Sequence, residues 1–138
     1  MPKPTVSKRK LTTKQERDLD IEIGFLEGVV RRDPDYVEAL QVLGDDYTQR
    51  GKLEEGLVVD IQLSRLRPED ALVHYNLGCS YALTGQYEQA VAELDRSISL
   101  GYRDFKWMAR DPDLRQLRRH RLYKKIRARI HDVLLNAG

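Results

Sequence analysis

The stretch "LGCSYALTGQYEQA", residues 77–90, repeats the pattern of "LGDDYTQRGKLEEG", residues 43–56, after an interval of 34 positions. Both copies have Leu-Gly, a tyrosine three residues after that glycine, a second glycine four residues later, and then a glutamate. Identical residues at one fixed offset are typical of stacked supersecondary units, each of which buries its apolar face against the next. The period therefore predicts a helical array rather than a single closed core.

Aligning residues 37–70 with residues 71–104 gives seven identities in 34 positions. The identical pairs are Leu43/Leu77, Gly44/Gly78, Tyr47/Tyr81, Gly51/Gly85, Glu54/Glu88, Leu66/Leu100 and Asp70/Asp104. Gly51 and Gly85 supply the left-handed backbone that ends a helix, so the pattern predicts helices over 35–50, 53–66, 70–84 and 87–100. Gly44 and Gly78 are the small residues that let the second helix of each hairpin pack closely against the first.

A helix is also expected before the first repeat. Thr13 and Glu16 have the spacing of a capping box, so the helix should begin there. Its inward apolar face is formed by Leu19, Ile23, Leu26 and Val30. Phe25 and Val29 widen that face, so this helix is expected to be covered on more than one side.

These residues resemble the motif of the tetratricopeptide repeat family, a helix-turn-helix of 34 residues. The resemblance implies an all-α array of helical hairpins, an α-α superhelix, with a basic C-terminal capping helix. It divides the chain into a basic disordered tail (1–12) and one domain (13–138), which contains a leading helix (13–32), repeat 1 (37–70), repeat 2 (71–104) and a degenerate repeat with its cap (105–138). Four positions depart from the motif: Leu40 and His74 replace an aromatic residue, Asp60 replaces a large apolar one, and Tyr102 replaces a proline. The neighbouring Ile61 is expected to take over the inward role of Asp60.

The degenerate third unit begins at Phe105, Trp107 and Met108, but Pro112 stands where the helix should continue and breaks it. The final helix follows. Its predicted apolar stripe consists of Leu122, Ile126, Ile130, Val133 and Leu134.

Composition excludes several functional classes. The 138 residues are 41% hydrophobic and 33% charged, with no apolar run of membrane-spanning length. The basic N-terminus lacks the features of a secretory signal, so a cytoplasmic location is expected. Cys79 is the only cysteine, which rules out an internal disulfide and a cysteine-built zinc site. No nucleophile motif or phosphate-binding glycine loop is present, so no catalysis, cofactor or metal is predicted.

Within the family, the first helix of each unit lines a concave groove that binds a peptide or partner protein. The resemblance therefore implies a scaffold whose partner-binding residues are Glu38, Gln41, Asp45, Leu72, Tyr75, Asn76 and Cys79, with Tyr75 as the principal anchor. This groove is acidic at one end and apolar at the other, which favours a basic peptide with an apolar side chain. The alternative is that the cap helix or a second copy of the chain covers Leu72, Tyr75 and Cys79 as core. A carboxylate clamp, found in chaperone-binding members, is not expected because Asp45 would repel a carboxylate.

Charge offers a competing function. Residues 33–95 carry thirteen acidic and four basic side chains, whereas residues 96–138 carry twelve basic and four acidic ones. Such asymmetry can drive head-to-tail self-association. The candidate anion-binding residues are Arg118, Arg119, Lys124 and Lys125, which could contact nucleic acid or an anionic surface, as could the N-terminal Lys8-Arg9-Lys10. The alternative is that these residues form only the solvated face of a capping helix.

Overall fold

The computed structural model describes residues 10–137, and these contain helices and turns but no strand. The helices are α1 (Thr13–Arg32), α2 (Val37–Arg50), α3 (Leu53–Leu66), α4 (Ala71–Leu83), α5 (Tyr87–Ser99), α6 (Phe105–Met108), α7 (Arg115–Arg118) and α8 (Lys124–Asn136), and two 3₁₀ turns lie at Pro112–Leu114 and Arg121–Tyr123. The predicted all-α fold is confirmed. The predicted tail lies mostly outside the described residues, which exclude residues 1–9.

Glycines with a left-handed backbone and a capping box mark the helix ends. Gly51, Gly85 and Gly101 have φ angles of 83°, 76° and 112°, in the left-handed region that favours glycine. The capping box, however, is one residue earlier than predicted. Thr12 caps α1 by accepting from the Gln15 backbone N–H, and the Gln15 side chain accepts from the Thr12 N–H.

The two repeats form helical hairpins, α2 with α3 and α4 with α5, joined through contacts between α3 and α4. Their close packing rests on the predicted glycines. A Cβ at Gly44 would lie 3.3 Å from Val59 Cγ1, and one at Gly78 would lie 2.9 Å from both Cγ and Cδ2 of Leu94. A side chain at Gly78 would therefore force Leu94 to move, whereas one at Gly44 would require its neighbours to shift by a few tenths of an ångström.

Asp60 corrects one sequence expectation. This carboxylate is buried and accepts a hydrogen bond from the Ser80 hydroxyl on α4, while Ile61 remains half-buried. A polar residue is tolerated in place of the usual large apolar one because the next repeat supplies a donor at that point. Asp60 therefore takes the inward position that was expected for Ile61, and it links the two hairpins.

Polar contacts attach α1 to the first repeat. Arg50, at the end of α2, pairs with Glu16 at 3.1 Å and Asp20 at 2.8 Å. The Tyr47 hydroxyl donates to Glu27 Oε2 at 2.6 Å. Ile23 is the buried apolar residue of α1, and it packs in one apolar cluster with the residues of the first repeat. The outer side of α1 is uncovered, because Phe25 is 70% exposed. The expectation that this helix is covered on more than one side is wrong within the described chain.

Asp46 on α2 is a buried carboxyl group opposite Glu22 of α1. Its Oδ2 atom is enclosed and has no hydrogen-bond partner among the described residues. Burial, followed by the neighbouring Glu22 carboxylate, raises the pKa of Asp46 from 3.8 to about 7. The folded chain therefore holds this proton more tightly than the unfolded chain does.

This pKa predicts a pH-dependent stability. The free energy of unfolding should fall as pH rises from about 4 to about 7 and stay low above that, because ionised Asp46 is favoured only in the unfolded chain. Relative to the wild type, Asp46→Asn should gain stability between about pH 5 and about pH 8, by an amount on the order of 1 kcal/mol. Urea denaturation at both pH values measures this difference. Asp35→Asn, at an exposed carboxylate, is the control, and an equal gain in that variant would contradict the role of Asp46.

The third unit ends early, as predicted. α6 has four residues, and Asp111 then caps a 3₁₀ turn that begins at Pro112. In α8, Ile126 is fully buried and Ile130 and Val133 are half-buried. Leu134, which was predicted to belong to the inward stripe, is 62% exposed and lies in the last turn of α8.

Candidate functional site

The structure divides the predicted groove into a covered half and an open half. In the covered half, Tyr75 and Cys79 of α4 are both 0% exposed. They point at Asp111, whose Oδ2 accepts from the Tyr75 hydroxyl at 2.6 Å and from the Cys79 thiol at 3.6 Å. Burial, then the neighbouring Cys79 and Asp111, raises the pKa of Tyr75, so its hydroxyl remains a donor.

A cap formed by residues 105–126 covers these two side chains. The cap contributes Met108, Leu114, Leu117, Tyr123 and Ile126 to one buried cluster with Tyr75 and Cys79. Tyr102 stacks on Tyr75, with ring centroids 4.3 Å apart and planes 5° apart. In this structure the C-terminal part of the chain covers Tyr75 and Cys79, as the alternative reading expects. That these two residues bind a partner stays a prediction.

The open half lies on α2. Glu38 and Gln41 are exposed, Asp45 is half-buried, and Val42 between them is 44% exposed. These residues have the spacing of one helix face, and we call them the acidic strip. Val42 was not among the predicted site residues. The sequence could have identified Val42, because it lies on the same helix face as Glu38 and Asp45.

Leu72 and Asn76 of α4 are half-buried. Leu72 also packs against the covered cluster. The Oδ1 atom of Asn76 is enclosed and has no hydrogen-bond partner among the described residues. Unpaired buried acceptors are uncommon, so Asn76 has an unmet requirement for a donor.

The predicted anion-binding residues differ in their surroundings. The Arg118 guanidinium donates to the backbone oxygens of Met108 and Asp111, both at 2.8 Å, so it holds the cap together. Arg119, Lys124 and Lys125 are exposed. The structure therefore gives Arg118 a role within the fold and leaves the other three side chains at the surface.

Cys79, Asp111 and Asp113 form a buried cluster whose potential metal-ligand atoms lie within 4.8 Å of one another. Asp111 is engaged in the fold, since it accepts from Tyr75, Cys79 and the Asp113 backbone N–H. The sequence prediction that the chain has no metal site stays a prediction.

An apolar pocket of about 460 Å³ lies where α1, α2 and α3 meet, outside the predicted groove. It is lined by Val30, Pro34, Leu40, Val58, Val59, Ile61, Gln62 and Arg65. Leu40, one of the lining residues, stands where the family motif has an aromatic residue.

Comparison with known proteins agrees with this architecture. Residues 71–103 match the family model described as "Tetratricopeptide repeat". A relative from Arabidopsis thaliana, a protein named as chloroplastic, is 30% identical over 109 residues, which are 77% of this chain and 31% of that protein. The chain thus spans less than a third of the relative's length.

Within residues 10–137, no helix has the length and apolar character needed to cross a bilayer. Tetratricopeptide repeats generally mediate protein–protein interactions, and the family typically serves as a non-catalytic scaffold. The matched segment coincides with the α4–α5 hairpin, and its sequence signature recurs in the α2–α3 hairpin. Residues 71–103 thus match a tetratricopeptide repeat, and the all-α array of helical hairpins in the described chain agrees with that fold.

Proposed function

We propose that this chain is an interaction scaffold that binds a basic peptide or partner segment along the acidic strip of α2. The observation that carries the proposal is the exposure of Glu38 and Gln41 on the first helix of repeat 1, while Tyr75, the repeat-2 equivalent of Gln41, is buried. The first helices of successive repeats lie side by side in a solenoid. The cap therefore fills the groove at α4 and leaves it open at α2.

The chemistry of the acidic strip determines the partner class. Glu38 and Asp45 lie at its two ends, with the Val42 side chain exposed between them. A partner with two basic side chains around an apolar one matches this order of charge and surface. Asn76 borders the strip at the repeat position equivalent to Val42. If the half-buried side chain of Asn76 rotates toward the backbone of a bound peptide, its unpaired Oδ1 atom can accept a hydrogen bond from a peptide N–H.

A displayed library of random peptides, selected on the immobilised chain, tests this proposal. Selected peptides should be rich in lysine or arginine flanking an apolar residue. For a synthetic peptide of the selected sequence, Glu38→Lys with Asp45→Lys should weaken binding at least about tenfold, because two attractive charges become repulsive. Fluorescence anisotropy measures the dissociation constant, and circular dichroism verifies the fold.

The matched control carries the same charge change on another helix. Glu54→Lys with Glu55→Lys alters two exposed acidic residues of α3 and should leave the dissociation constant within about twofold. Selection of acidic peptides, or equal weakening by both double variants, would contradict binding at the acidic strip.

The competing function uses the exposed cations Arg119, Lys124 and Lys125, which are free of the backbone contacts that Arg118 makes. If this surface binds nucleic acid, replacing the three residues by glutamine should abolish binding of a labelled RNA or DNA oligonucleotide at physiological salt. Binding seen only at low salt, without sequence preference, marks an incidental basic face. The cytoplasmic location also stays a proposal, since the relative above is named as chloroplastic.

A further inference from the structure

The outward face of α1 presents apolar side chains that the described chain does not cover. Phe25 is 70% exposed and Ile21 is 67% exposed. They are four residues apart, so they lie on one face of the helix, opposite the side on which Ile23 and Leu26 pack against the core. Single exposed apolar residues are ordinary, but here an aromatic and an aliphatic residue adjoin on one helix face and form a continuous apolar surface.

Two glycines adjoin this face. A Cβ at Gly24 would meet no atom within 4 Å, and one at Gly28 would meet only Arg31 Nη2 at 3.8 Å. Packing inside the chain therefore does not require either glycine, although each costs a helix interior about 1 kcal/mol relative to alanine. Small residues beside Ile21 and Phe25 let a second helix approach closely.

The charges of α1 indicate that the helix packing against this face is α1 of a second copy of the chain. In an antiparallel copy centred on Phe25, residues equally far before and after that position lie level with each other. Asp18 then lies level with Arg32 of the second copy, and Arg17 lies level with Asp33. A parallel copy would place Asp18 against Asp18 and Arg32 against Arg32, which is repulsive. The pattern is thus complementary to itself in the antiparallel orientation.

We propose that α1 is a homodimerisation helix, and that two copies of the chain pair antiparallel through Ile21, Phe25 and Gly28. The contact is one helix pair about 30 Å long, at the small end of specific interfaces. A dimer with a dissociation constant of roughly 1–100 μM is therefore expected. This surface is separate from the acidic strip on α2, so the two proposals fail or succeed independently.

Sedimentation equilibrium of the full chain, from about 1 to about 200 μM, tests the dimer. Phe25→Glu should raise the dissociation constant at least about tenfold, because it places two like charges near the two-fold axis. Val58→Glu is the control, since Val58 of α3 is 67% exposed, like Ile21, but lies outside the proposed interface. A wild type that is monomeric throughout this range, or equal weakening by Val58→Glu, overturns the proposal.

Disulfide trapping tests the orientation. Cys79 is 0% exposed, so Phe25→Cys introduces one accessible thiol close to the axis. Phe25→Cys should form covalent dimers readily, whereas Asp18→Cys should not, because its two copies lie about 20 Å apart in an antiparallel pair. Asp18→Arg should weaken the dimer, and adding Arg32→Asp should restore it. Equal trapping at both positions, or no restoration by the double variant, overturns the antiparallel pairing.

Discussion

Replacing Gly78 by leucine is expected to cost at least about 3 kcal/mol of unfolding free energy, and alanine about 1–2 kcal/mol. A Cβ at this position would lie 2.9 Å from two Leu94 carbon atoms and 3.3 Å from the Ala90 carbonyl oxygen. Leu94 is itself fully buried, so it cannot move aside without displacing other core residues. The two helices of the second hairpin must then separate. Urea denaturation followed by circular dichroism measures the loss.

The control is a helical glycine with open space around it. Gly24→Ala should raise the free energy of unfolding by about 0.5–1 kcal/mol, because a Cβ there meets no atom within 4 Å and alanine favours the helix. An unchanged midpoint in Gly78→Leu, or a similar shift in both alanine variants, would show that hairpin packing does not depend on Gly78.

The helices and their ends could be predicted from the sequence because their causes are local. Gly51 and Gly85 lie in the left-handed conformation that ends a helix, and Pro112 interrupts the third unit within its own segment. The 34-residue offset of the sequence repeat predicted that Gly44 and Gly78 face the second helix of each hairpin. Gly78 therefore appeared as a packing residue before Leu94 was known to fill the space opposite it.

Contacts between distant segments could not be predicted in the same way. Tyr75 fits an open groove and a covered core equally well until Asp111, 36 residues later, is placed against its hydroxyl. Asp60 looked unsuited to the interior because its donor, Ser80, belongs to the next repeat. In both cases a polar group is buried only because a distant residue pairs with it. Periodicity gives no information on such pairs.

Asp111→Ala is expected to cost about 3–5 kcal/mol and to release the cap from α4. Its carboxylate accepts from the Tyr75 hydroxyl, the Cys79 thiol and the Asp113 backbone N–H, and it is 0% exposed. Alanine removes all three interactions and leaves the Tyr75 hydroxyl without this acceptor in a buried site. Two measurements follow this loss, namely urea denaturation and the rate at which a thiol reagent labels Cys79.

Asp104→Ala is the matched control, because Asp104 is also an aspartate that caps a short helix, but it is exposed. Losing its hydrogen bond to the Trp107 N–H should cost only about 1 kcal/mol and leave Cys79 protected. Faster labelling in Asp111→Ala at urea concentrations well below its unfolding midpoint would mean that the cap opens while the hairpins stay folded. Equal stability and equal labelling in the two variants would contradict the role of Asp111, because a buried acceptor would then contribute no more than an exposed cap.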